Sequence, residues 1–445
     1  MLTGIPLLLL IFLAIIFIVI ASAVWKVHPF VSLLTATFGV GIAVGMPLNE
    51  VIASVNSGFG GLMGYIGLIV VMGSIIGIIL EKSGAALRIA DLILNLLGEK
   101  RPALAMALIG ATVSIPVFCD SGFIILSGLN KAVAQRTGTK QATLALALAA
   151  GLYTTHTLIP PTPGPIAAAG NIGAGDYLGV IMLVGFIVSI PTLLVAYWFA
   201  KKRGETIETL LENEAVTADL AMPSTFKSLL PILLPILLIA VGSVIKFLKL
   251  ENGLADGFIF LGNPLIALFI GMLCAFLLFP AFEKTYLTDW VGEGIKLAGP
   301  ILIITGAGGA FGGVLKATPM ASMVENWLAG SEFSGATFLI ITFLISALLK
   351  TSQGSSTNAL VITSSILAPL MATMGFDTPV ELALVVMALG GGAMTVSHAN
   401  DSYFWVVSQF SGIEMKDAYR NYTLMTGLQG LTVLGMTLVG YLLIA

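Results

Sequence analysis

Long apolar stretches separated by short polar ones are the feature that most constrains this chain. A helix needs roughly 20 apolar residues to cross the hydrocarbon core of a bilayer. Stretches of about that length cover 4–24, 29–47, 62–80, 178–200, 228–247, 258–280, 295–315 and 422–444. Only 10% of the 445 residues are charged, whereas an ordinary soluble domain carries about 25%. The sequence therefore predicts an all-α protein that crosses a membrane many times, with the lipid bilayer as its surroundings.

Composition and motifs exclude several classes of function. The formal net charge of -3 gives no reason to expect a nucleic-acid partner. Cys119 and Cys274 lie in apolar stretches without disulfide or metal-ligand spacing, so no metal or cofactor is expected. The glycine-rich run 305–313 lacks the lysine-hydroxyl pair of a phosphate loop and is better explained by close helix packing. Because no H-E-x-x-H or G-x-S-x-G motif is present, we do not expect an enzyme.

A polar segment at 201–226 divides the chain into two parts that repeat one order of elements. It begins with Lys201-Lys202-Arg203 and shows no apolar periodicity, so we interpret it as a cytoplasmic linker. The first repeat is then 1–200 and the second is 227–445. Each has three spanning helices, an amphipathic stretch (83–98 or 318–330), an interrupted apolar segment, a broken helix and a closing helix.

Positive charges predict how the two repeats are oriented. With the linker in the cytoplasm, most Lys and Arg groups lie on the inner side if segment 102–136 enters the membrane from the cytoplasm and segment 333–373 enters from outside. Lys246, Lys249 and Lys316 are the exceptions. The predicted fold class is therefore an all-α membrane protein with two inverted repeats, each containing a re-entrant hairpin and a discontinuous transmembrane helix.

Polar clusters interrupt apolar segments at matching places in the two repeats. The hairpin segments carry clusters at 119–122 and 350–358, and the broken helices carry clusters at 154–164 and 397–402. Backbone freed from hydrogen bonding cannot face lipid, so these breaks must line a cavity inside the protein. Helix N-termini that follow such breaks favour an anion such as a carboxylate. Paired breaks in inverted halves point to a transport site near the membrane midplane.

The members of these clusters are candidate ligands for a small carboxylate. They are Asp120, Ser121, Gly122, Thr155, His156, Thr157, Thr162, Gly164, Ser352, Gln353, Gly354, Ser355, Ser356, Thr357, Asn358, Asn400 and Ser402. For any single hydroxyl, burial in a contact between helices is an equal alternative. Ionisable groups cost more to bury and are therefore stronger candidates, with a structural ion pair or exposure at a membrane face as the alternative.

Charged and titratable side chains in the clusters have further roles to weigh. His398 with Asp401, or Asp120, are the candidates for carrying a driving proton, because histidine titrates near neutral pH and burial can tune a carboxylate. Lys350 follows an apolar run, so it either neutralises the charge of a substrate or extends from a helix end to the membrane surface. His28, beside Pro29 at a helix end, is interpreted as structural.

At these motifs the chain resembles the gluconate permease (GntP) family, gluconate:proton symporters within the ion transporter superfamily. The resemblance covers nearly the whole chain and is most specific at 159–165, 353–357 and 397–405. It implies import of gluconate or related sugar acids, or of D-serine, mostly by proton symport across the inner membrane. It also implies a homodimer whose protomers have scaffold and transport domains, with residues 120–122 and 352–358 as hairpin tips that meet at the substrate.

Two departures from the gluconate-type pattern concern the substrate. Those members commonly have Phe-Phe-Glu-Val at the first tip, where this chain has Phe118-Cys119-Asp120-Ser121, and a His where this chain has Thr162. Both changes reshape the expected pocket. The expected substrate is therefore a sugar acid or a shorter hydroxy acid such as glycerate. D-serine or another small amino acid, and sodium in place of the proton, are the alternatives. A channel is a further alternative function, although no repeated pore motif is visible.

Overall fold

A computed structural model describes residues 1–23, 25, 27–97, 101–209, 222–247, 253–281, 283–319, 335–371, 373–398 and 401–444. These residues form helices joined by short turns. No β-strand occurs among them, and Thr209 and Ile413 form an isolated antiparallel bridge. The predicted all-α class is confirmed for the described part of the chain.

Helices follow one another closely along both parts of the chain. Before the linker they are α1 (Ile5–Ala23), α2 (Pro29–Ala43), α3 (Leu48–Lys82), α4 (Ala85–Leu97), α5 (Pro102–Val113), α6 (Cys119–Thr137), α7 (Gln141–Leu158), α8 (Pro163–Asn171) and α9 (Leu178–Gly204). After it they are α10 (Thr225–Phe247), α11 (Gly253–Leu261), α12 (Pro264–Ala275), α13 (Val291–Lys316), α14 (Gly335–Gln353), α15 (Ser356–Leu367), α16 (Pro379–Met394), α17 (Ser402–Ser411) and α18 (Leu424–Ile444).

Several of these helices have the dimensions of membrane spans. Among the described residues, five helices are long and apolar enough to cross a bilayer, and seven if each of two bent pairs counts as one span. Their outer faces carry exposed apolar side chains such as Leu183, Ile190 and Leu431. Exposing so many apolar side chains to water would be unfavourable, whereas contact with lipid chains is not. The chain is a multi-pass membrane protein.

Two predicted spans differ from the structure. The span predicted at 62–80 belongs to the longer helix α3, which begins at Leu48 and bends by 42° between Gly64 and Gly67. The single helix predicted at 258–280 is wrong, because α11 and α12 meet there at an angle of 64°. Asn263 caps α12 by accepting a hydrogen bond from the Leu265 N–H (3.0 Å), and proline at 264 starts a new helix rather than continuing the old one.

Other predicted elements can be placed. The amphipathic stretch predicted at 83–98 is helix α4, whereas its predicted counterpart at 318–330 lies almost entirely outside the described residues. The His28 side chain accepts a hydrogen bond from the Phe30 N–H (3.3 Å) and caps α2, so its structural role is confirmed.

Helices α3 and α13, one from each side of the linker, pack along each other through glycine. A Cβ atom added to Gly58 would lie 2.3 Å from the Gly309 carbonyl oxygen, and one added to Gly309 would lie 2.6 Å from the Gly58 carbonyl oxygen. Only glycine permits this approach of two backbones. The interpretation of the glycine-rich run 305–313 as a packing surface is confirmed.

Two helices lie inside the bundle and face lipid on no side. Every residue of α7 from Ala142 to Leu158 is buried, and so is every residue of α16 from Leu382 to Met394. Helix α7 packs between α5 and α9, and α16 packs between α14 and α18. Each of these two buried helices ends at one of the predicted breaks, which places both breaks in the protein interior.

Candidate functional site

Each of the four predicted polar clusters lies at or beside an interruption between helices, although residues 119–122 form the first turn of α6 and not the interruption itself. Helices α5 and α6 are joined by a turn at 114–118, and α7 and α8 by a break at 159–162 that contains Pro160 and Pro161. Helices α14 and α15 are separated by Gly354 (φ +74°) and Ser355. The fourth break, between α16 and α17, contains Val396 at φ +58°. A β-branched residue rarely adopts this left-handed conformation, so the backbone is strained at this break.

The breaks meet one another in space. The Ser402 hydroxyl at the start of α17 donates a hydrogen bond to Asp120 Oδ1 at the start of α6 (3.1 Å). A Cβ on Gly164, in the first turn of α8, would lie 2.7 Å from Leu360 Cδ1 of α15. His398 Nε2 contacts the Thr351 carbonyl oxygen at the end of α14 (2.9 Å). Residues far apart in the sequence therefore form one site at which the N-termini of four helices converge.

A buried ion pair lies at the centre of this site. Lys350 Nζ, in the last turn of α14, is 2.5 Å from Asp401 Oδ2, and the two side chains are 0% and 6% exposed. The Ser397 hydroxyl donates to the same carboxylate oxygen, and the Tyr403 N–H donates to Oδ1 (3.1 Å). Lys350 therefore does not extend to the membrane surface, and that alternative is wrong.

Other ionisable and aromatic side chains interact with this ion pair. Asp120 and His156 both interact electrostatically with Asp401 and Lys350. The Lys350 ammonium also lies 5.9 Å from the centre of the Tyr153 ring, over its face. One cation is thus close to two carboxylates and a histidine, in an interior where charges interact strongly.

Two of the predicted site residues have buried polar atoms without a hydrogen-bond partner among the described residues. His156, 5% exposed, has no hydrogen-bond partner for Nδ1, although its ring lies 5.8 Å from that of Phe118. Both amide atoms of Gln353 are likewise unpaired. Buried polar groups in proteins are nearly always hydrogen-bonded. These two side chains thus have hydrogen-bonding capacity available for water or a ligand.

Other predicted ligands already have partners within their own segments. The Thr155 and Thr157 hydroxyls donate to the carbonyl oxygens of Gly151 (3.4 Å) and Tyr153 (3.2 Å) on the same helix. The Thr162 hydroxyl donates to the Ile159 carbonyl (2.6 Å). These hydroxyls retain only acceptor capacity for a substrate.

The remaining predicted residues lie at the two hairpin tips and the fourth break. The Ser355 hydroxyl caps α15 by accepting from the Asn358 N–H (3.2 Å). A Cβ on Gly122 would lie 2.7 Å from Leu152 Cδ2, so the first tip packs tightly on α7. Ser356 is buried, whereas Thr357 and Asn358 are half-buried. Ser352 is described only as backbone, and Asn400 lies outside the described residues.

Sequence reasoning missed several residues that support the site. Glu81 at the end of α3 interacts with Ser121 at the first hairpin tip. Gln429 of α18 donates to Thr154 Oγ1 (2.8 Å), and Thr426 accepts from the Ser397 N–H (3.0 Å). A buried amide inside an apolar helix is a recognisable signal, so Gln429 could have been found. No comparable sequence signal marks Glu81, because it lies at a helix end beside Lys82.

A cleft of about 650 Å³ lies between α3, α8, α13 and α15. Glycines of α3 and α13 line one wall, while Asn171, Asp176 and Lys316 add polar groups. In the described part of the chain, no group of three or more His, Cys, Asp or Glu side chains could hold a metal ion.

Broken helices around a buried, charged site inside a helical membrane protein are the architecture of a membrane transporter. The sequence pattern of the GntP family permeases matches residues 5–443. The chain belongs to this family. It is a permease and not an enzyme.

Curated relatives match over most of their length. An uncharacterized permease of Haemophilus influenzae is 35% identical over 409 residues, covering 87% of this chain and 82% of the relative. The gluconate permease of Bacillus subtilis is 32% identical over 433 residues, covering 93% and 94%. The L-idonate transporter and the D-serine transporter DsdX of Escherichia coli are 30% and 29% identical. The family therefore includes carriers of different small acids.

Solved structures share the fold. The YdaH transporter of Alcanivorax borkumensis superposes with a TM-score of 0.67 at 15% identity, covering 99% of this chain and 98% of that one. MtrF of Neisseria gonorrhoeae gives 0.65 at 16% identity, with coverage of 97% and 94%. At these identities the likeness concerns the fold alone, which is that of a helical membrane transporter.

Proposed function

We propose that this permease imports a sugar acid or a related small hydroxy-monocarboxylate together with protons across the inner membrane. The observation that carries the proposal is the buried Lys350–Asp401 pair, at 2.5 Å, where the helix breaks meet. Burying a cation inside a membrane protein costs free energy, so a buried lysine indicates a function. Binding an anionic substrate is such a function. The gluconate and L-idonate carriers among the relatives support the same substrate class.

The substrate's carboxylate and hydroxyls have complementary partners. Helices α6, α8, α15 and α17 all begin at the breaks, and their N–H groups and positive dipole ends favour a carboxylate. His156 and Gln353 offer unpaired polar atoms for substrate hydroxyls. The other proposed ligands are the remaining residues predicted from the sequence, at 120–122, 155–157, 162, 164, 352–358, 400 and 402. Proton coupling is assigned to Asp120, His398 and Asp401.

The architecture we propose is a pair of inverted repeats, 1–200 and 227–445, joined by the linker 201–226. Matching contacts support it: α7 packs between α5 and α9 as α16 packs between α14 and α18. Helices α3 and α13 would then be equivalent elements that contact each other. The two hairpins would enter from opposite sides, so that an elevator or rocking motion could expose the site alternately, within a homodimer.

Uptake by proteoliposomes tests this function. Labelled gluconate or glycerate should accumulate when an inward proton gradient is imposed, and an uncoupler should abolish the accumulation. Asp120→Asn, His398→Ala and Asp401→Asn should each impair proton-driven uptake. Accumulation that follows sodium and ignores pH would reject the proton part of the proposal. Normal accumulation in all three variants would reject the coupling residues, and a wild-type protein that transports neither acid would reject the substrate class.

A D-serine carrier is the second candidate. The two opposite charges of the Lys350–Asp401 pair could satisfy the carboxylate and the ammonium of one amino acid, and a D-serine transporter is among the relatives. Competition separates the two candidates. If the substrate is a hydroxy acid, excess D-serine should leave gluconate and glycerate uptake unchanged. If the substrate is an amino acid, labelled D-serine should accumulate instead, and excess gluconate or glycerate should leave its uptake unchanged.

A further inference from the structure

The Lys350–Asp401 pair is closed in this structure, and that has a consequence for how an anion can bind. Lys350 Nζ makes its contact with Asp401 Oδ2, which also accepts from the Ser397 hydroxyl. The pair carries no net charge. A carboxylate that enters beside it finds the cation already neutralised and brings an uncompensated negative charge into a buried site, which is unfavourable.

We infer that Asp401 and the substrate carboxylate bind Lys350 in turn, and that protonation of Asp401 makes the exchange possible. The inference rests on the proposed function. A proton added to Asp401 Oδ2 leaves the carboxyl group neutral and releases the Lys350 ammonium. The substrate carboxylate then pairs with Lys350. On the other side of the membrane the substrate leaves, the proton leaves Asp401 and the original pair forms again.

Charge balance would couple the transport of the substrate to the transport of the proton. Without ligands, the Lys350–Asp401 pair holds one positive and one negative charge, and the pair together with a bound proton and monocarboxylate also holds one of each. With the proton alone the pair carries an uncompensated positive charge, and with the carboxylate alone it carries an uncompensated negative one. An uncompensated charge is costly inside a membrane protein. Only the empty and the doubly loaded forms of the site therefore change easily from facing one side of the membrane to facing the other. Obligatory symport of one proton with one monoanion follows.

The groups around the pair are consistent with this exchange. Asp120 interacts with Asp401 and Lys350, but it is half-buried and holds a hydrogen bond from Ser402 instead of an ion pair. His156 interacts with both members of the pair and has an unpaired Nδ1. Cys119, Tyr153 and Tyr422 also interact electrostatically with Asp401. His398 is held against the Thr351 carbonyl.

Electroneutrality is the first test. In proteoliposomes whose membrane potential is clamped with potassium and valinomycin, the initial rate of gluconate uptake should follow the pH gradient. It should not change when the potential is set to zero or made negative inside. Each unit of pH gradient should sustain about a tenfold accumulation, as one proton per monoanion requires. Gluconate uptake driven by the potential alone overturns the inference and leaves the proposed function intact. No uptake of gluconate or glycerate overturns both.

Neutralising each partner is the second test. In Asp401→Asn the Lys350 ammonium has no carboxylate partner. Exchange of internal for external gluconate should therefore persist and become insensitive to pH. A pH gradient should no longer raise the ratio of internal to external gluconate. Lys350→Met should lose both exchange and accumulation. Asp91→Asn, which removes the partly exposed Arg88–Asp91 pair (3.3 Å) of α4, is the control and should keep both activities.

A purely structural ion pair predicts a different pattern. In that case Asp401→Asn and Lys350→Met would lower the thermal stability in detergent and lose exchange together. Loss of gluconate exchange in an Asp401→Asn protein that unfolds at the wild-type temperature would also overturn the inference. If both variants fail to fold, the wild-type measurements under clamped potential decide the question alone.

Discussion

At the scale of single residues, the site contains polar atoms that the protein itself does not satisfy. His156 Nδ1 and both amide atoms of Gln353 are buried without partners among the described residues. Each such group costs about 1–3 kcal/mol of folding free energy. A protein that retains them sacrifices stability, and a binding site offers a physical reason, since a ligand or water can complete the hydrogen bonds.

His156→Phe should therefore separate stability from binding. The phenyl ring keeps the aromatic contact with Phe118 and removes the unpaired nitrogen, so the free energy of unfolding should stay the same or rise by up to about 1–3 kcal/mol. Loss of one hydrogen bond to the substrate should raise the KM for uptake about two- to tenfold. Thermal unfolding in detergent and uptake kinetics in proteoliposomes measure the two effects.

The matched control for this variant is Asn171→Leu. Asn171 Nδ2 donates to the Val361 carbonyl (3.1 Å) and to Ser364 Oγ (2.8 Å), so its removal should destabilise the protein. A His156→Phe protein that is less stable and has an unchanged KM would assign His156 a structural role.

At the scale of elements, the two helix breaks are maintained in different ways. The break after α7 contains Pro160 and Pro161, which end a helix by local geometry. The break after α16 contains no proline and includes Val396 in a left-handed conformation that costs roughly 1–2 kcal/mol. Two threonines at the start of α18 and just before it hold this break: the Ser397 N–H donates to Thr426 Oγ1 (3.0 Å), and the Thr423 hydroxyl donates to the Ser397 carbonyl (2.6 Å).

Thr426→Val should loosen this second break. The Ser397 N–H would lose its acceptor in a buried position, at a cost of about 1–3 kcal/mol. Because Ser397 also holds Asp401, uptake per folded molecule should fall together with stability. Thr432→Val is the control on the same helix, since its hydroxyl bonds only to the Leu428 carbonyl of its own helix (2.7 Å). Equal losses in the two variants would show that the contact with Ser397 has no special role.

At the scale of the whole molecule, the proposed mechanism requires that the two hairpins enter from opposite sides. Thr139 follows the first hairpin and Asp377 follows the second, and both are at least partly exposed. Cys119 and Cys274, the two cysteines of the chain, would be replaced by alanine before new ones are introduced. Each position then reports the side of the membrane on which its hairpin ends.

A membrane-impermeant maleimide should label Asp377→Cys in intact cells, because that hairpin is expected to open to the outside. Thr139→Cys should react only after the inner membrane is permeabilised, since its hairpin is expected to open to the cytoplasm. The double-alanine background should remain unlabelled in both conditions and serves as the control. Labelling of both cysteines from the same side would refute the inverted arrangement.

Much of the fold was predictable because its signals are local. Prolines at 160, 161 and 163 located one break, and runs of apolar residues located most helices. The interruption at Gly262-Asn263 was missed because apolar residues continue on both sides of it. The extra length of α3 was missed because residues 48–61 are too mixed in polarity to be recognised as part of a span.

The candidate site was predictable as a set of clusters and not as an arrangement. Sequence selected Asp120, His156 and Asp401 because ionisable groups are costly in apolar segments. It left Lys350 between two interpretations, and only the ion pair with Asp401, 51 residues away, excludes the membrane surface. Thr426 and Glu81 support the site from other helices and could not be connected with it from spacing.

The sequence by itself determined that this chain crosses a membrane, and it located the four polar clusters at which helices of the candidate site begin or end. Hydrophobic length and the geometry of proline act within a few residues, so they can be read along the chain. Only the tertiary structure decided which broken ends meet and which charges pair. That choice depends on contacts between distant segments, where the high cost of an unpaired charge in a poorly polarisable interior selects one partner for Lys350.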